Sequence, residues 1–224
     1  MPLSGKGMLV SRMNISPEHE QEFNRWYDKE HLAERVAIEG FLEARRYVAI
    51  AAELKYIALY TTDTFEVLNG PAYRTVLQNQ TQWSLDNISR LQDPSRAICN
   101  ITLSIGQGRG SILGTVRIRP GQSSAELLRT RLKETFQDLS SRDGLLSLHL
   151  VESDPELSKA LDAVVPPVGA GDWYILIDGT DAEVVERVAR EEFRSLVSSA
   201  RGEQVSSDAY RLLWDVAKSE LNRN

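Results

Sequence analysis

The chain has a single cysteine, Cys99, only three histidines, and no apolar run approaching the roughly 20 residues that span a bilayer. One thiol forms no internal disulfide and builds no multi-cysteine metal site. Basic residues are not in excess: 26 Lys and Arg against 32 Asp and Glu leave a formal charge of −6. That balance argues against a general nucleic-acid surface, which carries a positive field. There is no Gly-x-Ser-x-Gly elbow. The glycine cluster Gly106-Gln107-Gly108-Arg109-Gly110 has no phosphate-loop lysine and joins two predicted strands, so it reads as a connector. The opening Met1-Pro2-Leu3-Ser4-Gly5-Lys6 has no signal-like apolar stretch, and the expectation is a cytoplasmic protein that binds no membrane.

What is present is a pattern that occurs twice. In the first half, strands are predicted at 8–15, 41–50, 55–62 and 97–105. A helix opens at Ser16-Pro17, with Glu18 and Glu20 in its first turn, and a second helical stretch covers 65–91, interrupted at Gly70-Pro71. In the second half, strands are predicted at 111–119, 145–152, 172–178 and 209–217, with helices at 123–139 and 180–199 and a short helix within 153–171. Both halves follow β-α-β-β-α-β, the split βαβ order of ferredoxin-like folds. The step from Met8 to Gly40 equals that from Ile112 to Gly144, and residues 55–63 align with 173–181. The expected fold class is α+β: two tandem ferredoxin-like repeats, residues 1–106 and 111–224, with antiparallel sheets packed face to face.

Strand alternation assigns faces under that arrangement. Cys99, Ile101, Leu103 and Ile105 are expected toward the helices, with Cys99 a core residue. Asn100 and Thr102 are expected to line a space between the sheets. Ile57 and Leu59 are expected on the helix side, and Tyr56, Ala58 and Tyr60 on the cavity side. Tyr174, Leu176 and Asp178 would be the repeat-related inner positions, and Arg12 and Asn14 share one face of the first strand.

The segment Phe23-Asn24-Arg25-Trp26-Tyr27-Asp28-Lys29-Glu30-His31-Leu32-Ala33-Glu34-Arg35, followed by Gly40-Phe41 and Ala44-Arg45-Arg46-Tyr47, resembles the EthD-like branch of the dimeric α+β barrel superfamily. The resemblance covers about residues 7–105; beyond 111 only the element order persists. It implies a barrel formed within one chain, a small-molecule cavity and no fixed chemistry, since the superfamily includes cofactor-independent monooxygenases, isomerases, dehydrochlorinases and heme-using branches. The second half has Thr130-Arg131 and Thr135 where the first has Trp26-Tyr27 and His31, which implies one site per chain.

His31 is the leading candidate acid or base, because histidine titrates nearest neutral pH. Asp28, three residues earlier, would orient it, and Tyr60 would donate to a substrate oxygen. Trp26 and Tyr27 flank His31 on the helix, and Tyr73 and Trp83 are candidate roof residues. Arg45 and Arg46 point to opposite faces of their strand; Arg46 is the one assigned to bind a substrate carboxylate or enolate. His149, aligned with Arg45, is a second site residue or a heme ligand without a surrounding motif. No metal site and no cofactor are expected. The expected activity is cofactor-independent proton-transfer chemistry of lyase or isomerase type on a small cyclic or carboxylated compound. The alternatives are cofactor-free oxygenation of an electron-rich aromatic and non-catalytic ligand binding. Exposed strand edges would allow a homodimer.

Overall fold

The computed structural model describes residues 3–121, 124–159, 165–167 and 169–221. Ser123, the expected start of the second-half helix, lies outside the described residues. The strands are β1 (Gly7–Ile15), β2 (Phe41–Ala51), β3 (Tyr56–Thr62), β4 (Leu91–Gly106), β5 (Ile112–Arg119), β6 (Leu145–Ser153), β7 (Trp173–Gly179) and β8 (Glu203–Ala217). The helices are α1 (Pro17–Trp26), α2 (Leu32–Ala37), α3 (Pro71–Gln78), α4 (Gln82–Ile88), α5 (Ala125–Leu139), α6 (Pro155–Ser158), α7 (Ala182–Glu191), α8 (Arg194–Ser199) and α9 (Lys218–Leu221). The fold is α+β: a closed, all-antiparallel barrel in the order β1-β3-β2-β8-β5-β7-β6-β4, with helices on its outside.

The barrel closes at two seams. β2 pairs with β8 with Arg46 opposite Trp214, and β4 pairs with β6 with Ser104 opposite His149. Among the described residues closure leaves no free edge strand, so the sheet-edge route to a homodimer has nothing there to pair with. Gly40 and Gly144 end their helical segments at φ +82° and +86°, the left-handed region that glycine enters without strain.

Three packed layers result. Met8, Val10, Tyr47, Ile57, Leu59, Cys99, Leu113, Tyr174, Leu176 and Tyr210 fill the barrel. The outer face of the first half, including Leu9, Tyr56, Ala58, Tyr60 and Ile98, packs under α1 and α2 through Phe23, Trp26, Tyr27 and Leu32. The outer face of the second half packs under α5, α7 and α8 through Leu128, Leu132, Phe136, Val188 and Val197.

This layering corrects several assigned faces. Ile57 and Leu59 point into the barrel, and Tyr56, Ala58 and Tyr60 point out to the helices, the reverse of the expectation. All seven residues of β3 are buried, so neither face needs polarity and alternation has nothing to report. In β7, Tyr174, Leu176 and Asp178 do face inward. The discrepancy is a one-residue slip. Leu113, not Ile112, occupies the inward position corresponding to Met8, and Asp178 pairs with Leu113 as Thr61 pairs with Met8. A one-residue slip exchanges every face. Cys99 and Ile101 line the barrel and do not meet the helices. A bulge between Ile101 and Leu103 then turns Leu103 and Ile105 outward. Thr102 is exposed and donates to Glu152 Oε1 at 2.7 Å, while Glu152 is held from outside by Arg129 of α5. Asn100, opposite Glu152, shares that outer side. The helical stretch 65–91 resolves into a 3-10 turn, α3 and α4, and β4 starts at Leu91. Helix 180–199 breaks into α7, capped by Asp181, and α8.

Candidate active site

The cavity lies mainly against the outer face of the first-half strands and reaches the barrel end at Ala97, Arg117 and Tyr174. This partly open space of about 660 Å³ runs between the outer face of the first-half strands and the helices above them, and Trp26, Tyr27, His31, Tyr60 and Tyr73 are on its wall. That volume is typical of small-molecule sites. A surface depression of similar volume between α5 and α8 is more open; its Arg142 is paired to Glu192 at 2.6 Å, and among the described residues it has no unpartnered buried polar atom.

A π-helical turn, Tyr27–His31, joins α1 to α2, with Leu32 N–H reaching back to Tyr27 O. At about 100° per residue, positions 26 and 31 of a plain α-helix sit some 140° apart. The wider turn brings both under the sheet, and the Trp26 and His31 rings lie 4.1 Å apart. Such turns recur at functional sites. The Tyr27 ring is 5.0 Å from His31 and edge-on, and Tyr60 is 6.5 Å away and perpendicular. Trp26 Nε1 donates to Ser84 Oγ at 3.0 Å, and Ser84 Oγ donates to Glu30, so α4 fixes the indole.

His31 is buried, and its Nδ1 has no hydrogen-bond partner among the described residues. Burial, then the positive charges of Arg35 and Arg46, hold its pKa well below the ordinary 6.5, so the imidazole is neutral at physiological pH. The Tyr60 hydroxyl is likewise buried, with only the neighbouring Tyr27 hydroxyl as a polar contact, and burial raises its pKa well above 10. It is therefore a proton-bearing donor. Neutral base and donor thus face one apolar space.

Asp28 does not orient His31. Its carboxylate accepts from Arg46 at 3.1 Å and from Trp214 Nε1 at 2.8 Å. Arg46 does not reach the barrel interior: its guanidinium stacks among Tyr27, Tyr56 and Phe23, 4.3, 5.0 and 5.1 Å from the ring centroids, and donates to Asn24 Oδ1. Asn14 accepts from Lys55 N–H at the end of its strand, and Trp83 bonds Glu22. Arg12, Asp178 and Arg45 lie inside the barrel. Arg12 is 3.6 Å from Asp208, and Arg45 bonds Asp178 at 3.4 Å and Glu43 at 3.4 Å. Burial pushes Asp178 up to about 6 against the opposing pull of Arg45. Of the expected site residues, the structure therefore brings together Trp26, Tyr27, His31 and Tyr60, and leaves Asp28, Arg46, Arg12, Asn14, Asn100, Thr102 and Asp178 elsewhere.

Arg35 is a cavity residue that the sequence reading missed. It is buried, lies on the cavity wall, and follows His31 by four residues, a spacing that shares a helix face. As a heme ligand His149 fits poorly: Nδ1 contacts Ser104 Oγ at 2.9 Å and Nε2 contacts Ser147 Oγ at 3.0 Å, so both nitrogens are engaged inside the barrel. Among the described residues no cluster of three His, Cys, Asp or Glu could hold a metal ion, and no helix is long and apolar enough to cross a membrane. Cys99 is buried, and its thiol is pushed up to about 12, as befits a core residue.

No protein-family model and no curated protein matches the sequence. Solved structures do match its fold. An anthrone oxidase-like protein superposes with a TM-score of 0.68 at 9% identity, covering 98% of this chain and 95% of the other. A candidate monooxygenase from Lactobacillus acidophilus superposes at 0.56 with 12% identity, covering 96% and 95%. A candidate chlorite dismutase superposes at 0.55 with 9% identity, covering 98% of each chain. Full-length superposition on these structures, together with a barrel closed from eight antiparallel strands, means that the chain has the dimeric α+β barrel fold, completed here within one polypeptide.

Proposed function

We propose that the protein is an enzyme that removes an acidic proton from a small cyclic or aromatic compound bound in the outer cavity, with His31 as acceptor. The two halves, residues 1–106 and 111–224, are on this reading diverged ferredoxin-like units, of which the first works and the second completes the barrel. The spatial order fourth-first-third-second, repeated in both halves, supports that duplication. The observation that carries the function is the juxtaposition of a neutral, partnerless imidazole and a buried tyrosine hydroxyl, whose polar neighbour is Tyr27, on the wall of an aromatic-lined cavity. Buried polar groups left unpaired are costly and are retained where a ligand completes them.

The depressed pKa constrains the chemistry. An imidazole that resists protonation is a weak base, so the proton taken must be acidic: a ring C–H beside a carbonyl, or a phenolic O–H. The proton goes to His31, the electron pair stays on the substrate as an enolate or phenolate, and Tyr60 O–H donates to its oxygen. Returning the proton at another carbon is isomerisation; expelling a leaving group is elimination.

A second reading has the same anion react with dioxygen, a ring CH2 and O2 giving a ring C=O and water. The similarity to an anthrone oxidase-like protein favours it. One assay tests both: turnover of a panel of cyclic carbon acids and phenols, anthrone among them, with and without dissolved oxygen. His31→Gln is expected to reduce turnover by about 10²-fold or more, with the far-UV spectrum unchanged. Activity confined to aerated samples selects the oxygenase reading, and a fully active His31→Gln protein removes both.

A further inference from the structure

Three arginines line the outer cavity, and two are already committed. Arg96 donates to Leu157 O at 2.9 Å and to Tyr73 Oη at 3.5 Å, and Arg117 pairs with Asp172 at 2.7 Å. Arg35 differs. It is 4% exposed and makes no hydrogen bond or ion pair among the described residues, and its Nη1 is buried without a partner. The adjacent carboxylate, Glu34, also makes no ion pair with it, and its own Oε2 is unpartnered. Glu34 feels the Arg35 charge but does not hydrogen-bond it, and a guanidinium removed from water without a directly paired carboxylate is costly, so a protein keeps one where a ligand supplies that pairing. Trp26, Tyr27, Tyr73, Leu77 and Ile88 give the wall its apolar and aromatic part, and its other polar side chains, among them Gln80, Ser95 and Ser158, are uncharged.

We propose that Arg35 is the specificity determinant of the cavity and that its ligand is an aromatic or unsaturated ring bearing a carboxylate, phenolate or enolate oxygen. The planar guanidinium binds that oxygen through a charge-assisted pair, and the aromatic wall takes the ring. Arg35 lies one helical turn beyond His31, so an oxygen bound there sits beside the ring from which the imidazole would take its proton. The inference deepens the proposed function by naming the ligand class of the same site, but it does not depend on turnover.

The test is calorimetric binding of two probes matched in shape, 2-naphthoate and the neutral 2-naphthalenemethanol. The wild-type protein is expected to bind 2-naphthoate at least about tenfold more tightly, as one buried charge-assisted pair provides. Arg35→Gln removes that preference while keeping the weaker affinity for the alcohol, and Arg35→Lys retains part of it. Arg96→Gln and His31→Gln keep it. Equal affinity for the two probes, no binding of 2-naphthoate, a preference that survives Arg35→Gln, or one lost in Arg96→Gln would each overturn the assignment. Should Arg35→Gln not fold, the wild-type and Arg96→Gln measurements still decide. A catalytically competent His31→Gln protein that keeps the preference would end the proposed mechanism and leave Arg35 standing.

Discussion

Replacing Arg46 with Met separates a ligand-binding role from a structural one. The guanidinium is 2% exposed and sits within 4.3 to 5.1 Å of three ring centroids. Desolvated cation–π stacking contributes about 1–2 kcal/mol. The bond to Asn24 Oδ1, at 2.5 Å, joins a charged donor to a neutral acceptor and adds about 1.5–3 kcal/mol. Asp28 is 45% exposed, so its pairing adds less than about 1 kcal/mol. Methionine recovers some packing but no hydrogen bond, and the expected loss is about 3–5 kcal/mol of unfolding free energy. Urea denaturation followed by tryptophan fluorescence measures it, since Trp26 and Trp214 flank the cluster. Arg46→Lys is expected to rescue little, because an ammonium neither stacks flat nor forks between Asn24 and Asp28. An Arg46→Met protein within 1 kcal/mol of wild type that has lost only ligand affinity would refute this reasoning and restore Arg46 as a substrate ligand.

Other outcomes follow from the same structure. Because the folded-state pKa of His31 lies below its unfolded value of 6.5, its contribution to stability is present above 6.5 and is lost progressively as pH falls below that value toward the folded-state pKa; kcat/KM is expected to be flat from pH 6.5 to 8, and a limb at 6.5 that disappears in His31→Gln would contradict it. Asp178 has the opposite sign: with a folded-state value of about 6 against an ordinary 3.8, wild type loses up to about 3 kcal/mol relative to Asp178→Asn as pH rises from 4 to 6.5, and urea titrations of both proteins at several pH values check it. Gly40→Ala forces a side chain onto φ +82° and brings its Cβ 2.5 Å from Val67, whereas Gly108→Ala, at φ +80°, meets open space. Thermal melts should show the Gly40 variant losing more than the roughly 1 kcal/mol expected of left-handed strain alone.

The sequence was most legible where one face of an element meets water. The Ser16-Pro17 opening of α1 and the Gly40 turn are readable from pattern, whereas the inward Tyr174, Leu176 and Asp178 of the equally buried β7 follow only from matching them to β3 residues that themselves face outward. It was least legible where both faces are buried. β3 has no solvent face to anchor its alternation, so pattern alone puts Tyr60 inward opposite Asp178, although Thr61 is the true counterpart. The bulge at Thr102 and the π turn at Tyr27–His31 each break the regular period that such readings assume. His31 and Tyr60 are legible as site residues and do meet, but on the outer face of the sheet. Arg35 ends the Phe23-to-Arg35 segment, and only its burial without a hydrogen bond distinguishes it from a surface arginine.

Ligands are expected to enter the space under α1–α4 and not the barrel interior beside Arg45 and Asp178. A crystal structure of the protein soaked with 2-naphthalenemethanol addresses this directly, since the probe has no charge and needs nothing from Arg35. The ring is expected against Trp26, Tyr60 and Tyr73, with its hydroxyl within hydrogen-bond distance of His31 or Tyr60. Density for the probe inside the barrel, beside Arg45 and Asp178, would contradict the account.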